Sequence, residues 1–225
     1  MPITMRYPLV TNNVYHVMNK SIADYHIFNS DTEYAHMIQV LRFFSYKDNL
    51  PKFSRFSQSS AVQTHGFEKA LRQSVNENKK LVQFIAYCIM PTHIHLLLKQ
   101  LVDDGISLYA KNILNTYTRY FNTKHSRKGP LWESRFKSVP VSSDEQLLHV
   151  TRYIHLNPVS AGLVQKAEQW PYSSYLEYTT PKEIVYPLCD FRGLIEERPA
   201  HYRAFVSDHA DYQRKLARIK KLALE

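Results

Sequence analysis

The 225-residue chain is poor in cysteine and glycine, with two of the former and five of the latter, and it has no apolar run long enough to span a bilayer. Cys88 sits in an apolar stretch and Cys189 lies far from it, which argues against a disulfide scaffold or a thiolate metal site and fits a reducing compartment. The sequence shows no Gly-rich loop of the kind that cradles phosphates. Its first residues lack the apolar core of a secretion signal, so the expectation is a soluble, cytoplasmic protein with no membrane partner. Acidic residues are also the minority, 20 against 29 Lys and Arg, for a net charge of +9. That excess says nothing about fold. It favours polyanionic partners, with a merely basic soluble protein as the plain alternative.

Aromatic residues are plentiful, 13% of the chain with sixteen tyrosines. Tyrosine interleaved with Lys and Arg suits stacking on unpaired bases beside phosphate neutralisation. The length allows one sizeable core or a core with a small appendage.

One stretch organises the rest: Tyr87-Cys88-Ile89-Met90-Pro91-Thr92-His93-Ile94-His95-Leu96-Leu97-Leu98. It reads as a buried strand over Leu81–Met90, a tight Pro91-Thr92 turn, and a return strand over His93–Lys99. Alternate residues of a strand share a face, so His93 and His95 point the same way, about 7 Å apart along the strand. Two such imidazoles can close on one divalent ion if a third group arrives. Alone, such a pair is more often two solvated or hydrogen-bonded histidines than a site.

Upstream, residues 12–28 alternate around Val14, His16, Met18, Tyr25, Ile27 and Phe28 and predict one long strand or a loose hairpin. Ser30 or Asp31 can cap a helix carrying Tyr34, Met37, Ile38, Leu41 and Phe44. Residues 45–64 are polar, with Pro51 and a Ser-Gln-Ser-Ser run, and read as a mobile insertion, followed by a short amphipathic helix over 67–78. Residues 106–125 show helical spacing in Ile106, Ala110, Ile113, Leu114, Tyr117 and Phe121. A basic aromatic loop, Gly129 to Lys137, leads into a short strand over Phe136–Val141. Ser142-Ser143-Asp144-Glu145 is a capping signal for another helix. This order predicts an α+β sandwich, an antiparallel sheet with helices packed on it. The chain then turns irregular after Trp170 and ends in a basic helical tail at 212–221.

At about 100° per residue, Leu147, Val150, Thr151 and Ile154 form a core stripe on the late helix, and His149, Tyr153 and Asn157 a stripe beside it. Tyr153 and Asn157, at i and i+4, project together and could offer a phenol and an amide oxygen to whatever His93 and His95 hold. Pro158 disfavours helical backbone at Asn157, which places that residue in the last turn. Tyr153 is the only helical tyrosine with Asn four residues on. A half-buried core tyrosine is the plain alternative.

Three blocks, Met90–Leu97, Gly129–Lys137 and Arg152–Val164, resemble in content and order the single-tyrosine HUH transposases, and most nearly their REP-associated branch. The resemblance spans roughly residues 10–178. Thr92 stands where relatives usually carry Asn, a turn position that puts little in doubt. The resemblance implies a ferredoxin-like fold with a four-stranded antiparallel sheet and the histidines on a central strand. It implies a Mg²⁺ or Mn²⁺ site at His93, His95 and Asn157, and Tyr153 as nucleophile. It implies cleavage of single-stranded DNA near a hairpin, a 5′-phosphotyrosyl enzyme with a free 3′-hydroxyl, and rejoining without ATP. Residues 1–178 are accordingly expected to form the transposase domain, with an insertion at about 45–80, and 179–225 a basic, mostly helical extension. Hairpin or single-stranded DNA is the expected partner, with nucleoid association when bound, and a homodimer with exchanged tyrosine helices is possible.

Other groups take supporting expectations. Trp132, Arg135 and Lys137 could stack a base and hold backbone phosphate, or simply pack a loop. Lys111, Arg119, Lys124, Arg127 and Lys128 make a plausible DNA track or a solvated face. His149 could accept a proton or steady the phosphate near Tyr153, or be an ordinary surface histidine. Two other functions compete with strand transfer: a domesticated hairpin-binding protein that no longer cuts, and a metal-dependent hydrolase, disfavoured by the lack of an evident carboxylate ligand.

Overall fold

The computed structural model describes residues 8–47, 50–196 and 198–209. Four antiparallel strands, β1 (Val14–Lys20), β2 (Val82–Met90), β3 (His93–Gln100) and β4 (Lys137–Val141), form one sheet in the order β2-β3-β1-β4. Helix α1 (Asp31–Phe43) connects β1 to the β2–β3 hairpin, and α5 (Gly105–Lys124) connects β3 to β4. This is the expected ferredoxin-like arrangement, and β3, with both histidines, is an inner strand.

Side-chain parity assigns the two faces. Tyr15, Val17, Ile94, Leu96 and Leu98 share a core with Met37 and Leu41 of α1 and Ile106, Tyr109 and Tyr117 of α5. Ile85, Ala86, Cys88, Met90 and Leu97 face the other way, onto Leu147, Ile154 and Val159 of α6 (Asp144–Ser160). Ile85 and Ala86 fall on the same side because the β2–β3 register shifts between Phe84 and Ala86, a bulge that inserts one extra residue. Pro140, which has no N–H to donate, sits on β4, an edge strand where the missing donor is tolerated. Gly105 opens α5 against β2's lead-in: a Cβ there would lie 2.5 Å from the Leu81 carbonyl oxygen, so only glycine fits.

Two sequence expectations need correction. The first strand stops at Lys20 and does not run on to residue 28. Ile22–Asp24 instead make a 3₁₀ turn, with Ala23 and Asp24 at positive φ (51° and 54°). The segment read as a mobile polar insertion, residues 45–64, folds into α2 (Phe53–Ser57) and α3 (Ser60–His65), while the short helix expected after it forms as α4 (Phe67–Ser74). The segment is polar enough to look like a linker, but Phe53 and Phe56 are buried against Phe43, and Phe67 against both of them. A few large rings outweigh a polar average, because each buries a large apolar area.

Past Trp170, α7 (Tyr175–Thr179) and α8 (Pro199–Ser207) pack on the α6 side, with Tyr178, Tyr202 and Val206 buried in that core. The basic tail at 212–221 lies outside the described residues.

Candidate active site

Helix α6 sets the position of Tyr153. Its start is fixed by Ser143, whose hydroxyl accepts the Gln146 amide at 3.1 Å, while Gln146 Oε1 accepts the Ser142 amide at 2.9 Å. These two bonds satisfy amides that the first turn leaves without partners. Its end is closed at Gly162, where φ of +73° lets Gly162 and Leu163 donate back to Val159 and Pro158. Between these ends Leu147, Thr151 and Ile154 are buried on the sheet, and Asn157 falls in the final turn beside Pro158.

The helix is pinned from the far side too. His155, fully buried, bonds Tyr202 Oη through Nδ1 at 2.6 Å and Ser174 Oγ through Nε2 at 2.8 Å. Burial lowers its pKa to about 3, so it is a neutral ring with one donor and one acceptor.

Tyr153 projects towards the sheet with 41% of its surface exposed. Its ring meets His95 edge-on at 5.7 Å between centroids and His16 at 6.0 Å. A cleft of about 370 Å³ is lined by Tyr153, Asn157, His93 and His95, with Lys137 at its edge. The four residues singled out for chemistry, and one of the proposed DNA contacts, therefore meet within one chain, and no second copy is needed to complete the cluster.

Both cleft histidines and Asn157 have defined partners. The His93 and His95 rings are 4.9 Å apart. His93 Nδ1 lies 2.9 Å from Thr92 Oγ1, and His95 Nδ1 lies 3.0 Å from His16 Nε2. Both cleft histidines thus have Nδ1 engaged behind them. Thr92 is consequently more than a turn residue, since its hydroxyl orients the His93 ring. Asn157 Nδ2 donates to the Tyr153 carbonyl at 2.9 Å, which leaves the amide oxygen as its acceptor atom.

Electrostatics keep these groups uncharged. Burial lowers the pKa of His93 to about 4, and that of His95 well below the ordinary 6.5, so both are neutral bases at pH 7. Burial pushes the Tyr153 phenol above its ordinary value, against which the Asn157 side chain pulls it down.

His16 behind the cleft, and Asp24 and Glu133 in its lining, were not anticipated as site residues. His16, 8% exposed, stands behind His95; its only sequence signal is a histidine at an inward position of β1, between Val14 and Met18. Asp24 and Glu133 line the cleft, with Asp24 Oδ1 2.7 Å from Lys20 Nζ. Asp24 arrives through the unforeseen positive-φ turn, which no periodicity announces. The carboxylates thought missing from the neighbourhood are therefore present, yet among the described residues no cluster of three or more His, Cys, Asp or Glu is arranged to hold a metal.

The remaining predicted contacts sit elsewhere. Trp132 is only 9% exposed, packs near Tyr117 and donates its indole N–H to the Leu114 carbonyl at 3.3 Å. Its ring is part of the core and offers no open face to a base. Arg135 is exposed, with its carbonyl held by Asn19 Nδ2 at 2.9 Å. His149 lies outside the cleft lining, with Nδ1 2.7 Å from Arg152 Nη2 and its ring 5.8 Å from Phe205. Lys111, Arg119, Lys124, Arg127 and Lys128 belong to α5 and the loop after it, and none lines the cleft. Lys124 is paired with Glu33 at 2.9 Å, and Arg127 holds the Pro130 carbonyl at 2.8 Å. Since α5 and α6 cover opposite faces of the sheet, this basic surface is not a continuation of the site.

A ferredoxin-like sheet with paired histidines on an inner strand and a tyrosine–asparagine helix laid over them is the arrangement that the motif resemblance implied. The family described as "Transposase IS200 like" matches residues 56–157, a little under half of the chain. The chain is similar to a putative REP-associated tyrosine transposase of Haemophilus influenzae, at 31% identity over 113 residues, 46% of this chain and 63% of that protein. It is also similar to the REP-associated tyrosine transposase of Escherichia coli, at 26% identity over 91 residues, 40% of this chain and 52% of that one. The chain thus spans about half to under two thirds of the length of these curated relatives. Among solved structures, a REP-associated tyrosine transposase bound to a REP hairpin has the same fold, with a TM-score of 0.53 at 16% identity, over 85% of this chain and 96% of that one. The resemblance read from the three motif blocks is borne out. Among the described residues, no helix is long and apolar enough to cross a membrane.

Proposed function

We propose that this chain is a metal-dependent DNA strand transferase that cleaves and rejoins single-stranded DNA beside a hairpin, with Tyr153 as nucleophile. The observation that carries the reading is the convergence of Tyr153, Asn157, His93 and His95 on one cleft. The relatives' names support the reaction class, and the hairpin named with the solved relative supports the substrate.

In this reading Tyr153 Oη attacks the scissile phosphorus, a P–O bond to Tyr153 forms, and the P–O3′ bond breaks. The phenolic proton is lost and the leaving 3′-oxygen gains one. A 3′-hydroxyl then attacks the phosphotyrosine in the reverse sense, which preserves the energy of the broken phosphodiester and requires no nucleotide cofactor. The phenol's raised pKa makes it a weak nucleophile in the free protein, so charge developing on Tyr153 and on the phosphate must be stabilised in the transition state.

The residues present fit a hard divalent ion held weakly. Both imidazoles are neutral and backed at Nδ1, so Nε2 is the nitrogen left for the cleft, and Asn157 adds an amide oxygen. When bound there, Mg²⁺ or Mn²⁺ would polarise the phosphoryl oxygens and screen their charge. Lys137, exposed at the cleft edge, is placed to hold backbone phosphate, and Asp24 offsets the charge of Lys20.

The test is a denaturing gel of the protein incubated with labelled hairpin DNA and Mn²⁺. A shifted covalent band that disappears in Tyr153→Phe is expected. Binding without a band would mean a hairpin-binding protein that does not cut, and cleavage surviving Tyr153→Phe would mean a hydrolase using the histidines and the cleft carboxylates.

A further inference from the structure

The proposed reaction does not say which ring of the buried His16–His95 contact carries the shared proton. Their nitrogens, His16 Nε2 and His95 Nδ1, are 3.0 Å apart, the rings stack at 5.2 Å, and the residues are 8% and 5% exposed. They sit on adjacent strands, His16 opposite Leu97 in the β1–β3 register, two residues along from His95. A nitrogen pair at that distance shares one proton, and which ring owns it has a consequence at the other end of His95. If the proton belonged to His16, His95 would carry its own N–H on Nε2 and present a donor to the cleft. With the proton on His95 Nδ1, the Nε2 lone pair faces outward instead. His95 lines the cleft and His16 does not, so His16 occupies the position behind the ring.

We propose that His16 is a positioning residue: it accepts the His95 Nδ1–H and so fixes the tautomer and ring orientation in which His95 Nε2 can bind a divalent cation. The inference rests on the metal-dependent reading above. Partners that hold the rear nitrogen of a ligating histidine typically change metal affinity by about 10- to 100-fold when removed. The same ring also touches Tyr153, so His16 packs the nucleophile and the ligand against each other.

The experiment uses the full chain with ring-¹⁵N-labelled histidine, and assigns His95 by comparison with His95→Asn. In metal-free protein, long-range ¹H–¹⁵N spectra are expected to show His95 protonated at Nδ1 and bare at Nε2. His16→Phe, which keeps ring volume but offers no acceptor, is expected to lose that single tautomer and to bind Mn²⁺ about 10- to 100-fold more weakly by electron paramagnetic resonance titration. His16→Gln, which restores an acceptor oxygen, is expected to recover most of the affinity. The proposal is overturned by a wild-type His95 carrying its proton on Nε2. It is equally overturned by a folded His16→Phe protein with unchanged tautomer and Mn²⁺ affinity, or by a folded His16→Gln protein as weak as His16→Phe. A wild type that binds no Mn²⁺ at all would sink the metal reading, while the metal-free spectra still settle the His16–His95 bond.

Discussion

Replacing Tyr202 by Phe removes one oxygen from the buried interface between α8 and α6, the helix that carries Tyr153, and the structure sets the size of the effect. His155 is fully buried, with both ring nitrogens bonded. The network has one consistent direction. Tyr202 Oη donates to His155 Nδ1, His155 Nε2–H donates to Ser174 Oγ, and Ser174 donates to the Tyr87 carbonyl while accepting the Tyr87 amide at 2.9 Å. Without the phenol oxygen, His155 Nδ1 is left without its partner in a site closed to water. Such an orphan costs about 1–3 kcal/mol. For a chain of this length about 2 kcal/mol lowers Tm by roughly 4–8 °C. Calorimetry of wild type, Tyr202→Phe, His155→Phe and the double variant measures it. The double variant should cost less than the sum of the singles, with a coupling on the order of 1 kcal/mol, because His155→Phe removes the orphaned nitrogen. A Tm for Tyr202→Phe within about 1 °C of wild type, or strict additivity in the cycle, would refute the network and with it the idea that α8 braces the helix carrying Tyr153.

Stability should fall on acidification below pH 6.5. An unfolded chain protonates its histidines near 6.5, whereas folded His155 stays neutral to about 3, so the unfolded state binds more protons across that window. His155 alone contributes a loss of about 2 kcal/mol at about pH 5, and His155→Phe should flatten the slope of Tm against pH. Metal affinity has the same sign but a different window. His93, with a pKa of about 4, should keep Mn²⁺ binding nearly constant from pH 7 to about 5, and a midpoint near 6.5 in a titration would contradict that. Thr92→Val should weaken Mn²⁺ binding about 10-fold through loss of the His93 Nδ1 partner while leaving the fold intact by circular dichroism. Lys137→Ala should reduce strand cleavage about 10-fold, while Lys111→Ala, on the far face of the sheet, should leave single-turnover cleavage of the same hairpin within about twofold.

What the sequence determined by itself were features with a period or a fixed spacing. His-x-His alternation placed both imidazoles on one face of β3, and the i, i+4 spacing placed Tyr153 and Asn157 together on α6, because backbone geometry alone dictates those directions. The Ser142–Glu145 signal marked the start of that helix, one residue from where the Ser143 cap lies. Tertiary structure alone decided which groups meet across elements. Trp132 looked available for stacking in a basic loop, yet Leu114 and Tyr117 close over it. The basic residues of α5 read as a plausible DNA track, yet none of them lines the cleft and the sheet lies between α5 and the α6 face. Strand register sets His16 behind His95, and a positive-φ turn brings Asp24 into the cleft lining. Neither leaves a mark in residue spacing, because each depends on contacts between segments distant along the chain. The local pattern says which way a side chain points; only packing says what it points at.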